Sequence, residues 1–407
     1  MQRNKKILMC IAGLGGAIGS TVSVGLSIAD SDDSVNLGMV TESPIIKKMN
    51  LDLPLLKSIR VIGWDIKRDS LYQSAKEQKI CPAEAIKKAG NKLKNLIPRN
   101  AYREELGSIK EWIKDEASYI RQECDKNEIE QVVLVNLCPT EPYSMQVDDQ
   151  YVDWEDLSTI KMGKSGITLS RLYFRLAIEA GIHFINYTPN IAETEKLQKL
   201  AKEKGIIYCG RDGKTGQTFI KTVIAPAFRD KNFNIDGWFS TNILGNNDGA
   251  TLSNEDCRLT KRKSKSECLK SILGYTPGGE DSEYGHQVHI HYYPPRGDAK
   301  EAWDNIDFTG FLGHKMQMKI NWLGQDSILA APSIIDLTRI LSWAAYKGYE
   351  GLLTDVAYFF KSPLTLHDKP AHHATPDQLS LMLNFFQKIN IPKLISDKNM
   401  EQLNLVK

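Results

Sequence analysis

The 407-residue sequence lacks paired cysteines, a large excess of either charge and any long uninterrupted apolar run. Its seven cysteines are scattered without a Cys-x-x-Cys pair, which argues against a disulfide framework and fits the reducing cytoplasm. The formal net charge is only +2, so the sequence predicts no polyanion-binding surface and no nucleic-acid partner. Since no stretch of about 18 apolar residues occurs, we expect no membrane span.

A short apolar segment near the N-terminus has two interpretations. Residues 7–12 follow Arg3, Lys5 and Lys6, as the apolar region of a signal peptide would. The segment is short and runs directly into a glycine-rich stretch, so we favour a buried strand. With 42% hydrophobic residues and no internal repeat, the chain is long enough for two domains or for one domain with an insertion.

The first half of the chain alternates strand and helix patterns. The predicted strands are residues 6–12, 36–40, 61–66, 131–137, 183–186 and 206–209. The predicted helices are residues 21–29, 106–123, 168–180 and 192–204. This alternation predicts an α/β domain with a doubly wound parallel sheet.

The pattern changes after about residue 230. Strands are predicted at residues 233–240, 287–293, 308–312 and 317–322, with few helices between them, and long apolar helices follow at 328–346 and 376–389. The simplest layout is a dinucleotide-binding domain of residues 1–225 and 333–407. It is interrupted by a sheet-rich, largely antiparallel domain of residues 226–332.

A glycine-rich loop follows the first predicted strand. Residues 13–19 read Gly-Leu-Gly-Gly-Ala-Ile-Gly, close to Gly-x-Gly-x-x-Gly, with Gly19 one position late. Such a loop lets backbone N–H groups at a helix N-terminus approach a pyrophosphate, whereas a flexible turn is the alternative. Glu42 and Asp65 are both candidates for the carboxylate that binds the adenosine ribose and favours NAD over NADP.

Polar segments in the middle of the chain suit a phosphorylated substrate. Residues 210–218 could wrap a phosphate through backbone N–H groups, or could simply cap a helix that starts near Thr218. Residues 245–249, Gly-Asn-Asn-Asp-Gly, are a strong turn signal. Lys261 and Lys265 would share one helix face and suit a phosphate and an enolate oxygen, with a solvated basic face as the ordinary alternative.

Three histidines are close together in the sequence, at His286, His289 and His291. His289 and His291 would share one face of a strand. Because no further His, Cys or carboxylate stands at a familiar ligand spacing, we predict no metal site.

Taken in order, these segments resemble the myo-inositol-1-phosphate synthase family over nearly the whole chain. The family's Gly-x-Gly-Gly-Asn-Asn-Gly-Ser-Thr matches residues 13–21 apart from the asparagines, and its Gly-Trp-Asp-Ile matches 63–66, which favours Asp65 over Glu42. Other family segments match at consistent spacing. Gly-Asp-Asp-Leu-Lys-Ser-Gly-Gln-Thr resembles 210–218, Leu-Gly-Asn-Asn-Asp-Gly is intact at 244–249, Gly-Asp-Ser-Lys resembles 297–300, Glu-Asp-Ser-Leu-Leu-Ala resembles 325–330, and Lys-Ala-Pro-Leu-Thr resembles 361–365.

The resemblance implies a Rossmann-type NAD-binding domain interrupted by a sheet-rich α+β catalytic and tetramerisation domain. It implies cyclisation of glucose 6-phosphate to 1D-myo-inositol 3-phosphate through oxidation at C5, enolisation at C6, aldol closure onto C1 and re-reduction. NAD would be a catalytic cofactor in a closed site. The corresponding expectation is a cytoplasmic homotetramer, with a dimer as the alternative, that serves inositol and phospholipid biosynthesis.

The resemblance also assigns roles to the matched residues. The implied catalytic residues are Lys261, Lys265, Lys300, Lys361, Asp212 and Asp248. The implied cofactor-binding residues are Gly13, Gly15, Gly16, Ala17, Ile18, Gly19, Ser20, Thr21, Asp65, Cys138, Asp212, Asp326 and Ser327. The implied substrate-binding residues are Thr215, Gly216, Gln217, Thr218, Asn242, Asn246, Asp248, Lys261, Lys265, Lys300, Asp326 and Lys361. The lysines would stabilise the enolate and alkoxide oxygens and the phosphate.

Three segments on the expected cofactor side depart from the family. Ala17 and Ile18 replace the paired asparagines, Thr-Ala-Asn-Thr-Glu-Arg is replaced by Leu-Cys-Pro-Thr-Glu-Pro at 137–142, and Asn-Gly-Ser-Pro-Gln-Asn is replaced by Asn-Tyr-Thr-Pro-Asn-Ile at 186–191. Two alternatives to the synthase stay open, because a related cyclase would preserve the same lysines and phosphate-binding segments, and the departures at the glycine loop motivate a protein that only binds NAD. One is a related cyclase for a different sugar phosphate, and the other is a non-catalytic NAD-binding sensor.

Overall fold

The computed structural model describes residues 5–146, 152–162, 164, 166–251, 268–279, 284–366 and 369–390, apart from the side chains of residues 247 and 248. In this part of the chain, ten strands form two sheets. The first sheet has six strands: β1 (Ile7–Ala12), β2 (Ile59–Asp65), β3 (Arg99–Asn100), β4 (Gln131–Asn136), β5 (His183–Asn186) and β6 (Tyr208–Gly210).

The first sheet is parallel throughout, with the strand order β3-β2-β1-β4-β5-β6. The strand order reverses between β1 and β4, which creates a crevice at the carboxyl ends of these strands. Every residue of β1 is buried, because the sheet is covered on both faces. The predicted doubly wound α/β fold is therefore confirmed.

Helices flank both sheets. They span Ala17–Ile28, Pro44–Lys47, Leu71–Gln78, Ala83–Lys94, Ile109–Asn127, Leu169–Ala180, Glu195–Glu203, Gly216–Asp230, Asn247–Thr251, Asp326–Tyr346 and Thr375–Asn390, and residues 268–273 are also helical. Short 3₁₀ segments span Asp33–Asn36, Val40–Glu42, Leu56–Ser58, Glu104–Leu106, Tyr143–Met145, Leu157–Thr159, Pro294–Arg296, Phe311–Gly313 and Thr354–Phe359.

The second sheet consists of four strands: β7 (Asn234–Leu244), β8 (His286–Tyr292), β9 (Ala299–Thr309) and β10 (Lys315–Gln325). Their order is β10-β9-β7-β8, and within this sheet the β7–β8 pair is parallel, whereas the β7–β9 and β9–β10 pairs are antiparallel. One face packs against the helix Gly216–Asp230 and residues 268–273 through Phe228, Trp238 and Ile306. The prediction of a largely antiparallel second sheet is confirmed.

The C-terminal helices return to the first sheet. Ile334, Leu337 and Trp343 belong to the same buried cluster as Ile7 and Met9. The helix Asp326–Tyr346 is long and apolar enough on average to cross a membrane, but 72% of its most apolar window is buried inside the protein. Its composition is that of a core helix. The domain boundaries at 225/226 and 332/333 stay predictions.

Residues 36–40 were predicted as a strand, and this prediction is wrong. The segment lies between the 3₁₀ turns Asp33–Asn36 and Val40–Glu42. The buried Asp336 accepts a hydrogen bond from the backbone N–H of Val40 at 2.6 Å, which holds the chain out of the sheet. A tertiary contact therefore overrides the local strand propensity, and the strand that pairs with β1 comes later, as β2.

Two predicted boundaries also need correction. The first helix begins at Ala17 instead of residue 21, because Gly16 is already its N-cap. The strand predicted at 308–312 belongs to the longer β9, which ends at Thr309, and Phe311–Gly313 forms the turn that leads to β10. The apolar pair Phe311-Leu312 is exposed at this turn, where it resembled the end of a strand.

Candidate active site

A cavity of about 520 Å³ lies at the carboxyl ends of the parallel strands, where the strand order reverses. This volume is typical of small-molecule and cofactor sites. Many residues assigned from the sequence line it: Gly13, Gly15, Gly16, Ala17, Ile18, Gly19, Asp65, Cys138, Asp212, Thr215, Asn246, Lys300, Asp326, Ser327 and Lys361. The fold therefore brings the glycine loop together with lysines and carboxylates from the second half of the chain.

The glycine loop forms one end of the cavity. The backbone N–H of Gly13 donates to the carbonyl oxygen of Trp64 at 2.9 Å, which ties the loop to the end of β2. Gly16 caps the helix Ala17–Ile28, whose first turn lines the cavity. The N–H groups and the positive end of the helix dipole can therefore meet an anionic group there.

Gly19 stands one position later than the third glycine of the usual motif, and its packing shows that it takes the same role. A Cβ atom at this position would lie 2.5 Å from the carbonyl oxygen of Leu14 and 2.7 Å from that of Gly13. The helix can therefore approach the preceding loop this closely only with glycine at position 19. This is the packing role of the third glycine in a dinucleotide-binding loop.

Asp65, at the end of β2, lies beside the glycine loop. Its Oδ2 accepts a hydrogen bond from the backbone N–H of Gly15 at 2.9 Å, and its side chain lines the cavity. Glu42 is not among the residues that line the cavity and is instead paired with Arg339 at 2.7 Å and Lys47 at 3.1 Å. The geometry therefore favours Asp65 over Glu42 as a ligand-binding carboxylate.

A buried ion pair joins two distant segments at the cavity wall. Lys361 Nζ donates to Asp212 Oδ1 at 2.9 Å, and the two side chains are 7% and 4% exposed. The backbone N–H of Lys361 also donates to the carbonyl oxygen of Asp212 at 2.7 Å. A desolvated ammonium group held this firmly is suited to stabilising a developing oxyanion.

A second lysine–carboxylate pair lies at the same cavity. Asp326 Oδ1 accepts hydrogen bonds from Thr215 Oγ1 at 2.7 Å and from Lys300 Nζ at 3.3 Å. Next to it, Asp298 accepts from the backbone N–H and the hydroxyl of Ser327, at 3.0 and 2.7 Å. Burial raises the pKa of Asp298, and the hydrogen bonds from Ser327 oppose that shift. Asp298 was not assigned a role from the sequence, although it lies within the matched segment 297–300.

Some assigned residues lie behind the cavity wall. Gly216, Gln217, Thr218 and Asn242 do not line the cavity, and the latter three are at most 8% exposed. Asn242 Nδ2 donates to Gln217 Oε1 at 2.6 Å. Ser20 and Thr21 turn back into their own helix, where both hydroxyls donate to the carbonyl oxygen of Ala17. These side chains support the wall from behind.

Three assigned side chains lie outside the described residues. They are Lys261, Lys265 and the side chain of Asp248. Their roles stay predictions. Cys138 lines the cavity, and burial raises the pKa of its thiol.

A buried polar network that was not predicted from the sequence connects the departing segments 137–142 and 186–191. Asn136 at the end of β4 donates to Asn186 Oδ1 at 3.2 Å, and Asn186 donates to the carbonyl oxygen of Asn190 at 2.7 Å. Asn190 in turn donates to the carbonyl oxygen of Pro139 at 2.9 Å and accepts from the backbone N–H of Glu141. Asn136 and Asn186 end the neighbouring strands β4 and β5, and this position was the signal available in the sequence. The network holds the cavity-lining residues 138–140 in place.

The histidines form other contacts. His286 Nε2 lies 2.9 Å from Lys221 Nζ, whereas the rings of His289 and His291 stack with centroids 6.5 Å apart. Within the described residues, no group of three or more His, Cys, Asp or Glu side chains could hold a metal ion.

Known proteins resemble this chain along nearly its whole length. The family model described as myo-inositol-1-phosphate synthase matches residues 216–327. Inositol-3-phosphate synthase 1 of Bacteroides thetaiotaomicron is 31% identical over 89% of this chain and 90% of its own length. The chain belongs to the myo-inositol-1-phosphate synthase family.

A more distant relative and two solved structures are also similar to this chain. The probable inositol 3-phosphate synthase isozyme 3 of Arabidopsis thaliana is 26% identical, with 93% of this chain and 84% of the relative covered. The crystal structure of inositol-3-phosphate synthase from Caenorhabditis elegans has a TM-score of 0.85 at 21% identity, covering 98% of this chain and 89% of that chain. A myo-inositol-1-phosphate synthase-related protein from Thermotoga maritima has a TM-score of 0.72 at 21% identity, covering 94% of this chain and 98% of that chain.

Proposed function

We propose that this member of the family is an inositol-3-phosphate synthase, an isomerase that cyclises glucose 6-phosphate to 1D-myo-inositol 3-phosphate. The observation that carries the proposal is the convergence of Lys361–Asp212 and Lys300–Asp326 on a cavity whose other end is a dinucleotide-type glycine loop. A plain sugar-phosphate binder has no need of two desolvated ammonium groups beside a cofactor site.

The residues present at the glycine loop fit NAD. The first turn of the helix Ala17–Ile28 would bind the pyrophosphate, and Asp65 would bind the adenosine ribose and repel a 2′-phosphate. When bound, NAD would accept hydride from C5 of the sugar and return it in the last step. Ala17 and Ile18 replace amide side chains of the family, so this chain would depend more on backbone contacts.

The lysines of this chain would manage the charge of the enolate and of the C1 alkoxide. Lys361 would stabilise the reacting oxygen, with Asp212 fixing the direction of its ammonium group. Lys300 would serve the phosphate end, held by Asp326. We assign Lys261 and Lys265 to a reacting oxygen and to the phosphate respectively, from the family spacing alone. Cyclisation needs no net oxidant, because the C5 oxidation and the final reduction cancel.

The exposed face of the second sheet supports a homotetramer. Phe239, Trp303 and Leu323 lie on one face of β7, β9 and β10 and are 47%, 51% and 63% exposed. A group of large apolar side chains exposed on one face of a sheet is typical of a subunit interface. We propose that these faces pair in a cytoplasmic homotetramer, which sedimentation velocity of the purified chain would test against a dimer or monomer.

The first experiment is incubation of the purified protein with glucose 6-phosphate and NAD⁺. We expect inositol phosphate, detected by phosphorus NMR, without accumulation of NADH. Sustained NADH release without a carbocycle would contradict the cyclase proposal and indicate a dehydrogenase. Turnover with a different sugar phosphate would indicate a related cyclase, and tight NAD binding without any turnover would indicate a sensor.

Replacement of Asp65 tests the cofactor proposal. We expect Asp65→Ala to raise the Kd for NAD⁺ about tenfold or more, because charge-assisted bonds to the ribose hydroxyls are lost. The measurement is calorimetric titration of the protein with NAD⁺. Glu42→Gln is the matched control, since Glu42 is the competing acidic residue and does not line the cavity. If Glu42→Gln bound NAD⁺ more weakly while Asp65→Ala kept the affinity of the unaltered protein, the assignment of Asp65 would be contradicted.

A further inference from the structure

A buried lysine joins the C-terminal helix to the wall of the active site. Lys214 is 8% exposed, and its Nζ donates to Gln378 Oε1 at 2.5 Å and to Thr375 Oγ1 at 3.4 Å. Both acceptors lie in the first turn of the C-terminal helix. Gln378 Nε2 donates in turn to the carbonyl oxygen of His372 at 2.6 Å. These bonds connect Lys214 to residues 372–378, here called the 372–378 segment.

The same segment holds the backbone that carries the Lys361–Asp212 ion pair. The backbone N–H of Lys214 donates to the carbonyl oxygen of Phe359 at 2.8 Å. The N–H of Lys361 donates to the carbonyl oxygen of Asp212 at 2.7 Å, so the two stretches of chain form a short ladder. The buried His373 forms a hydrogen bond to the backbone of Lys361. Through Lys214 and His373, the segment therefore contacts both sides of this ladder.

Lys214 is buried without a negatively charged partner. Among the described residues, no carboxylate forms an ion pair with it, and its Nζ lies 5.3 Å from the centroid of the Tyr358 ring. Burial lowers the pKa of Lys214 from its ordinary value of 10.5 to about 7, and the Cys268 thiol opposes that shift. The positive end of the helix dipole also disfavours a cation at this place. A neutral amine still donates to Gln378, so the docked segment favours the uncharged form of Lys214.

Three other titratable groups around Lys214 keep one charge state near neutral pH. Burial lowers the pKa of His373 to about 4, and the charge of Lys214 acts in the same direction. Burial raises the pKa of the Cys268 thiol to about 11 and also raises the pKa of Tyr358. These groups therefore stay uncharged in the range in which Lys214 gains its proton.

Further charged groups lie on the neighbouring elements. Lys221 follows on the next helix, where burial lowers its pKa to about 8, but its Nζ points to His286 Nε2 at 2.9 Å. His372 and Asp377 are exposed, and Asp377 lies 3.9 Å from Arg229. Lys221 and His372 need control variants, whereas Lys214 is itself hydrogen-bonded to the segment.

We propose that the 372–378 segment positions the Lys361–Asp212 pair for catalysis, and that Lys214 is the positioning residue that keeps the segment docked while its amine is uncharged. Undocking returns Lys214 to water and restores its ordinary proton affinity. Undocking therefore binds a proton between pH 10.5 and about 7, so it becomes easier as the pH falls through this range and levels off below it. The kinetic part of this inference rests on the proposed function, whereas the docking does not.

The first test is hydrogen exchange of the backbone amides of the 372–378 segment, followed by mass spectrometry. Rates are measured from about pH 6 to about pH 9 and divided by the intrinsic rate at each pH. In the unaltered protein, we expect constant protection below about pH 6.5 and a rise of up to about tenfold per pH unit above about pH 7.5, because docking releases one proton. In Lys214→Met, protection should not depend on pH.

A carboxylate at position 378 should remove the pH dependence in the opposite way. In Gln378→Glu, an ion pair restores the pKa of Lys214 toward its ordinary value, so the segment should stay docked at about pH 6. Gln387→Glu is the matched control, since Gln387 is exposed on the same helix, and it should keep the pH dependence of the unaltered protein. Lys221→Met and His372→Gln should keep it as well.

Turnover separates a positioning role from a purely structural one. Gln378→Leu removes the acceptor but retains Lys214, so the undocked state becomes populated. Relative to the unaltered protein, kcat should fall about tenfold at about pH 7 and by less at about pH 9, where Lys214 is uncharged. The Kd for NAD⁺, measured by calorimetry, should stay unchanged, since the glycine loop forms the other end of the cavity. A purely structural defect would give the same loss of kcat at both pH values.

The outcomes distinguish the docking from the function. If exchange in the unaltered protein is independent of pH after the correction, or if Lys214→Met keeps the dependence, Lys214 does not hold the segment. Gln378→Glu decides the same question if Lys214→Met does not fold. If Gln378→Leu turns over normally at both pH values, the segment does not position the ion pair. If the unaltered protein does not convert glucose 6-phosphate, the proposed function has failed, and the exchange result still decides the role of Lys214.

Discussion

Replacement of Lys361 by glutamine is expected to lower kcat for inositol phosphate formation by about a hundredfold or more, because an ammonium group aimed at the developing oxyanion is removed. The same change leaves Asp212 as a buried carboxylate without its lysine, which should cost about 3–5 kcal/mol of unfolding free energy. The measurements are steady-state kinetics with glucose 6-phosphate and urea unfolding.

The double variant Lys361→Gln with Asp212→Asn separates stability from catalysis. Removing both charges should restore most of the unfolding free energy, since no unpaired charge stays buried. Turnover should stay low, because the ammonium group is still missing. Recovery of turnover together with stability would show that the pair serves the fold alone. Lys388→Gln is the control, since Lys388 is an exposed lysine on the C-terminal helix and its loss should change neither quantity.

The second large effect is expected at Gly213, where the family motif has leucine. A Cβ atom at this position would lie 2.0 Å from Cε1 of Tyr187, whose ring is buried and packs near Phe360. The family motif has glycine at position 187, so the two positions have exchanged a large and a small residue. We expect Gly213→Leu alone to destabilise the protein by about 3 kcal/mol or more, through overpacking.

Tyr187→Gly combined with Gly213→Leu should recover much of that loss. Tyr187→Gly alone should cost about 3–5 kcal/mol through the cavity that it leaves, and the leucine should partly fill this cavity. A double-mutant cycle on urea unfolding measures the coupling of the two sites. If the losses of unfolding free energy in the two single variants simply added up in the double variant, positions 187 and 213 would not compensate each other. Gly25→Ala is a matched control, since a Cβ there meets only Val35 at 3.8 Å, and it should stabilise the helix slightly.

The exchange changes how the departing segments should be interpreted. Tyr187 and Gly213 both line the cavity, so a departure of one segment is compensated in another. The polar network of Asn136, Asn186 and Asn190 similarly ties the segments 137–142 and 186–191 together. These segments are alternative solutions to building the same wall, and they do not by themselves favour a non-catalytic sensor.

Local patterns were enough to predict most of the parallel sheet. The strand His183–Asn186 was predicted with its observed boundaries. The strand predicted at residues 131–137 ends one position after the observed end of β4. Buried parallel strands have continuous apolar runs, which a sequence displays directly. The strand prediction for residues 36–40 was wrong because the conformation of this segment depends on Asp336, almost three hundred positions away in the chain.

By itself, the sequence determined the α/β class, the glycine loop, the family and many of the residues that meet at the cavity, because each depends on local spacing. Only the tertiary structure decided which charges pair, including that Asp65 accepts a hydrogen bond from Gly15 and that Glu42 pairs with Arg339. The physical reason is that a buried polar group takes its orientation from its partner. For Lys361 and Asp212 that partner is 149 residues distant, and no local pattern records it.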